Sequence, residues 1–203
     1  IRVGDHMIIY SETTEYSNAP MSSLDKSDDG EGTTYDYVFI DGMGYEDDYK
    51  GIDLNGKVVF CQRGDISFND KANIAAYLGA AAIVICNNEP GVIGMDLSEY
   101  VFSAPCVSIL QSDGAAVKAA STKRTTAGGL TYYTGTVTVA SEMGVTEYGS
   151  EYYTMSAFSS WGVPGSLELK PEITAPGGMI WSVNGVEPSG DAYEMMSGTS
   201  MAA

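Results

Sequence analysis

The sequence runs to 203 residues, 44% of them hydrophobic and 24 of them glycine. That is enough for one large domain or two small ones with a packed core and many turns, and it is too apolar for a disordered chain. Twenty-seven acidic side chains against ten basic ones give a net charge of −17, a field that repels phosphate backbones and anionic membranes, argues against nucleic acid as a partner, and reads as solubility in an extracellular or crowded medium.

In chain order, "HMIIYS" (6–11) predicts a short strand and "SSLDKSDDGEGTT" (22–34) a polar loop. "YDYVFI" (35–40) predicts a second strand, followed by the acidic turn "DGMGYEDDYKGIDLNG" (41–56). "KVVFCQRG" alternates and is β-branched, a strand ending at Gly64. A helix is predicted over 67–78. Ser67 is its N-cap, and Asp70 sits in the first turn, where its charge suits the helix dipole. Phe68, Ala72, Ala75, Ala76 and Leu78 fall near one face, and Gly79 stops the helix. "AAIVICNN" (81–88) is a continuous apolar strand of the fully buried kind. "APCVSIL" (104–110) is another strand, and "SDGAAVKAAS" (112–121) a second short helix with Ser112 as its cap. "GLTYYTGTVTVA" (129–140) alternates threonine with apolar residues, as a strand with one solvated face does.

These elements predict a small α/β, β-rich domain over 1–140. Beyond 141 the texture changes: Pro164, Pro171, Pro176 and several glycines make a loop-rich stretch that reads as a surface segment of a larger domain. The three cysteines, Cys61, Cys86 and Cys106, are an odd number that closes no disulfide framework. Each lies in an apolar run, which predicts small buried core residues, and their spacing with a single histidine fits no zinc site. The longest apolar stretch, "AAYLGAAAIVIC" (75–86), is too short to span a bilayer. The chain opens on Ile1 with no leader pattern and breaks off abruptly at Ala203, so a segment of something longer is expected.

Two regions carry a resemblance. "GKVVFCQRGDISFNDKANIAAYLGAAAIVICNN" holds Gly56, Lys57, Arg63, Gly64, Phe68, Lys71, Ala75, Gly79, Ala80 and Asn87 in the order and spacing of the protease-associated (PA) domain, and "APCVSILQSDGAAV" resembles that family's later stretch. The resemblance covers about 35–120 and implies a small β-barrel or sheet flanked by short helices. The tail holds "FSSWG" (158–162), "KPEITAPG" (170–177) and "SGTSMAA" (197–203), and resembles the subtilisin-like serine peptidases (subtilases) around their catalytic serine. Some subtilases carry a PA domain inserted just before the serine motif. The order found here is therefore expected of a PA domain over 1–140 followed by a partial catalytic segment over 141–203.

The resemblance implies chemistry for the tail. Ser200 would be the nucleophile at the N-terminus of a helix, its backbone N–H donating to the oxyanion of a tetrahedral intermediate. Gly198 would let the backbone pass close to the substrate, and Gly198 and Thr199 would bind it. A serine needs a base oriented by a carboxylate. In subtilases the Asp and His-Gly motifs, and the asparagine that completes the oxyanion hole, lie far upstream, and none is in this chain. His6, in "GDHMIIYS", reads as an incidental edge histidine. The chain alone is therefore expected to be inactive, and its parent an extracellular, secreted or cell-surface endopeptidase acting on proteins or peptides, whose PA insert modulates substrate access or binds protein segments.

Other motifs have plainer readings. "RGD" (63–65) is a strand-end turn, "YEDDYKGID" (45–53) a solvated turn rather than a calcium loop, and no cofactor is implied, although calcium is common in parent enzymes of this kind. Tyr132, Tyr133, Tyr148, Tyr152 and Tyr153 pack either at the junction with the protease body or in the core. Phe158, Trp161, Ile173, Ile180, Trp181, Met195 and Met196 need covering, by the domain or by a second copy, so self-association through the tail is an expectation. The alternative to a protease segment is a stand-alone PA module that recognises protein or peptide without catalysis.

Overall fold

The computed structural model describes residues 1–13, 16–28 and 30–141, and in the tail 155–156, 158–160, 162, 171, 173–178, 180–183 and 193–202, the side chains of Tyr193, Glu194 and Met195 excepted. Tyr148, Tyr152, Tyr153, Trp161, Pro164 and Lys170 lie outside the described residues. The chain divides into two compact units, Ile1–Gly144 and Val145–Ala203.

In the first unit the described residues form the strands β1 (Arg2–Val3), β2 (His6–Met7), β3 (Tyr10–Glu12), β4 (Thr33–Phe39), β5 (Val58–Gln62), β6 (Ala82–Cys86), β7 (Cys106–Ile109), β8 (Thr122–Thr125) and β9 (Thr131–Val139), and the helices α1 (Phe68–Tyr77) and α2 (Gln111–Ala120). All nine strands join one mixed sheet in the order β2-β1-β9-β4-β5-β6-β7-β3, with β8 beside β9. β4, β5, β6 and β7 run parallel, while β9 and β3 pair antiparallel with β4 and β7. The order itself demands curvature. β2 and β3 stand at opposite ends of it, which a flat sheet would separate by roughly 34 Å at one strand spacing per step. Met7 and Tyr10 are three residues apart, a reach of at most about 11 Å. The sheet therefore curls into the barrel-like form expected of the fold class, and "HMIIYS" is not one strand. It splits at Ile8, itself buried, into two pieces that pair with different neighbours.

The central strands are buried on both faces, as their unbroken apolar sequences require. All five residues of β6 are buried, and β5 sends Val59 and Cys61 to one face and Val58 and Phe60 to the other. On the first face Ala72 and Ala75 of α1 pack against Ile83, Ile85 and Cys106. On the second, Val117 of α2 and Met21 cover Phe60, Val84 and Val107, and Tyr37 and Phe39 flank the Phe60 ring at 5.2 and 5.9 Å. Each buried Val, Ile, Met or Phe among them contributes about 1.5–3 kcal/mol by leaving water.

The first helix follows its sequence signals. Ser67 Oγ accepts the Asp70 N–H at 3.0 Å and donates to the Asp70 carboxylate at 2.7 Å, and Gly79 leaves the helix at φ +92°. The second does not. α2 begins at Gln111 with Leu110 in the cap position and no capping side chain; Gly114 N–H closes onto Leu110 O at 3.1 Å, so Ser112 already lies in the first turn. β8 was not expected, because its four residues are all exposed and carry no apolar alternation. β4 starts two residues early at Thr33, and β5 stops at Gln62 rather than Gly64. Short 3-10 turns at Met21–Leu24 and Glu46–Tyr49 interrupt stretches read as loop.

In the second unit β10 (Ile180–Val183) and β11 (Tyr193–Met196) form an antiparallel hairpin, with Ile180 opposite Met196, in a stretch whose sequence reads as loop. Thr199–Ala202 follows as a 3-10 turn. Phe158, Ile173, Trp181 and Met196 are 46, 87, 54 and 43% exposed, so the covering expected for the tail's apolar residues is lacking at these four. No helix among the described residues is long and apolar enough to cross a membrane.

Candidate functional site

The hairpin delivers the chain directly to the serine motif. β11 ends at Met196, and two residues on Gly198 N–H donates to Gly177 O at 2.8 Å. Met201 N–H then closes the 3-10 turn onto Gly198 O at 3.1 Å. Ser200 is the second residue of that turn and is exposed, as is Thr199; Gly198 is half-buried. The "TAPG" and "SGTS" segments, about twenty residues apart in sequence, are thus one structural unit.

What holds them so close is Gly177, which is buried. A Cβ on Gly177 would stand 2.7 Å from Gly198 O and 2.9 Å from the Ala202 Cβ, inside ordinary contact on both sides. Among the described residues, a Cβ on Gly198 would meet the flexible end of Met201 at 3.4 Å and Ser200 N at 3.9 Å, both in ordinary contact. Within the chain, then, the close approach belongs to Gly177. The sequence reading set Gly198 against the substrate and named Gly177 only as the end of "KPEITAPG".

His6 is engaged within the first unit, where its Nε2 lies 3.0 Å from Asp113 Oδ1 at the start of α2. The pair ties β2 to that helix, the structural part expected of an edge histidine.

A second cluster of polar groups sits where the parallel strands end. Arg63 N–H donates to Cys86 O at 2.8 Å, and its guanidinium to Asn87 Oδ1 at 3.1 Å. Buried Asn87 also donates to Gly91 O at 2.8 Å and accepts from Asn88 N–H. "RGD" thus leaves the end of β5 through a bend at Asp65, its arginine turned back on the sheet. Beside it Lys71 is wholly buried, with its ammonium donating to Met43 O, and burial holds its pKa below the usual lysine range. The motif names Lys71, but its task of gripping the 41–49 segment shows only in three dimensions. Asp48, in the acidic turn, is taken by the N–H groups of Gly44 and Tyr45 at 3.0 Å each. The three cysteines are free and buried, and desolvation pushes the Cys61 thiol up to about 11 and those of Cys86 and Cys106 higher still, so none is a nucleophile near neutral pH.

Residues 33–117 match the PA domain. The C5a peptidase of Streptococcus pyogenes serotype M3 is 33% identical over 169 residues, which are 83% of this chain and 13% of the peptidase. The PI-type proteinase of Lactococcus lactis subsp. cremoris is 33% identical over 154 residues, 74% of this chain and 7% of the proteinase. The chain thus spans only a small part of the curated relatives it matches. Among solved structures, a zinc aminopeptidase from Bacillus subtilis is 23% identical with a TM-score of 0.47, covering 67% of this chain and 29% of its own. The chain thus carries a PA domain at 33–117 and is related to subtilisin-like serine peptidases in which that domain is an insert.

Proposed function

We propose that the chain is the part of an extracellular or cell-surface subtilisin-like endopeptidase that holds its PA insert and the return to the catalytic serine, with Ser200 as nucleophile. One observation carries this most directly: the hydrogen bond from Gly198 to Gly177 sets Ser200 on an exposed turn at the end of a strand, locked from behind by a glycine that tolerates no side chain. That arrangement fixes the backbone of the serine turn and leaves Ser200 open to a carbonyl carbon from solvent.

In the parent, Ser200 Oγ attacks the scissile carbonyl while a histidine from elsewhere takes its proton, oriented by a carboxylate. Backbone N–H groups at the serine turn receive the negative charge that develops on the carbonyl oxygen. Gly198 and Thr199 lie against the substrate backbone; the ease with which the chain itself accepts a Cβ at Gly198 leaves the need for glycine there to the substrate side. The exposed Phe158, Ile173 and Trp181 are covered by the remainder of the catalytic domain. The PA domain does no chemistry and instead governs which proteins or peptides reach the cleft.

The chain by itself lacks the base and is inactive. Incubation with a fluorophosphonate probe, followed by intact-mass analysis, is expected to leave it unmodified, because an unassisted hydroxyl is a weak nucleophile. Stoichiometric labelling of the isolated chain that disappears in Ser200→Ala would overturn the claim of inactivity.

A further inference from the structure

An apolar groove of about 290 Å³ opens on the outer side of α1. Ile74, Tyr77 and Leu78 form one wall, and Val101 and Phe102 the other. Two of these side chains stand well out in water, Tyr77 at 78% and Val101 at 75% exposed. The walls are nonetheless rigid. Asn73 reads the opposite backbone with both ends of its amide, donating to Glu99 O at 3.0 Å and accepting from Val101 N–H at 3.1 Å. Asn69, buried one turn earlier, accepts Glu99 N–H at 3.0 Å. A loop fastened to a helix in this way presents its apolar residues pre-organised, which lowers the entropy lost on binding.

The rim supplies the sign of the partner. Glu46 lines the groove, Asp47 follows it and Glu99 opens the loop, all three exposed. The basic residues of 41–57 are Lys50 and Lys57, and Lys57 is already paired with Asp53 at 2.7 Å. Charge also rules on the occupant. A second copy would bring another −17, and the chain's own 142–151 stretch carries Glu142, Glu147 and Glu151 with no cation. We infer that this groove docks a segment of another protein in which an apolar side chain is flanked by Lys or Arg. The apolar residue sits between Tyr77 and Val101, and the cations face Glu46 and Glu99. The inference rests on reading the PA domain as a protein-binding insert, and it names the surface and the chemistry.

The test is NMR titration of the ¹⁵N-labelled chain with three synthetic peptides: one with phenylalanine between Lys/Arg flanks, one with the same centre between Glu flanks, and one basic peptide with alanine at the centre. The first is expected to shift the amides of Tyr77, Val101 and Phe102 and to bind at least tenfold more tightly than the others. Tyr77→Ser and Val101→Ser, both exposed and so foldable, should each weaken it about tenfold, and Glu46→Lys should abolish the preference for basic flanks. Equal affinity for all three peptides would overturn the inference, as would a dimer in sedimentation that Tyr77→Ser dissolves. Shifts confined to another face of the domain would remove this groove and leave the protein-binding reading standing; no shift anywhere would remove both.

Discussion

Replacing Gly177 by alanine in the proposed parent peptidase tests the serine turn at its tightest point. The new Cβ would lie 2.7 Å from Gly198 O, against the 3.4 Å at which ordinary contact begins, so the two segments must part by about 0.7 Å. Gly198 O is backbone and Ala202 offers only a Cβ at 2.9 Å, so no long side chain can absorb the strain. The turn that moves is the one carrying Ser200. A misplacement of 1 Å costs up to about a hundredfold in rate for a group that must meet its target in near-attack geometry, which scales to about 25-fold here. Steady-state kinetics on a chromogenic peptide should show the loss in kcat, with KM little changed. The neighbour makes the control: among the described residues a Cβ on Gly178 would meet only Ser156 Oγ, at 3.5 Å, and Gly178→Ala should keep its activity. Gly177→Ala within twofold of wild type, or Gly178→Ala equally damaged, would refute the reasoning.

Three further outcomes concern the domain. Phe60→Ala empties the centre of the second core face, where Tyr37 and Phe39 pack on the lost ring, and should cost about 3–5 kcal/mol by urea unfolding of the isolated chain. Stability should fall as pH rises above about 9. The buried thiols, with folded values raised above 9, keep protons that the unfolded chain releases, so their contribution is whole below pH 9 and lost through about 11 for Cys61. Tyr10, raised to about 12, acts in the same direction at higher pH, whereas Lys71, lowered by burial, acts oppositely; Cys106→Val should therefore flatten the alkaline decline without reversing it. Asp25 accepts bonds from Ser27 and from both the N–H and the hydroxyl of Ser141, which hold its carboxyl well below the usual range; Asp25→Ala should speed amide exchange at Ser27 and Ser141 and leave β5 and β6 protected.

The parts of the fold that were legible in the sequence are those whose causes are local. Ser67 and Gly79 mark the ends of α1 because capping and positive φ are properties of the residue itself, and "AAIVIC" announces a doubly buried strand because only such a strand tolerates unbroken apolar residues. The cysteines followed from the runs around them. What was misread depends on partners far along the chain. β8 exists because β9 offers it an edge, not because Thr122–Thr125 bury anything. "HMIIYS" breaks because the curled sheet brings its two edges together there. The helix at Gln111 starts on a leucine because β7 delivers the chain in extended form directly into it. At the serine turn the motif marked Ser200, while the requirement at Gly177 arises from contact with Gly198 and Ala202 and has no signal beyond its place in "KPEITAPG".

The role proposed for Ser200 is tested most directly by treating the full-length parent protein with a fluorophosphonate and mapping the adduct by peptide mass spectrometry. A single modification at Ser200 is expected, with labelling and peptide hydrolysis both lost in Ser200→Ala while the unlabelled domain unfolds at the same urea concentration as wild type. An adduct on a different residue, or a Ser200→Ala protein that still cleaves peptide, would contradict the assignment.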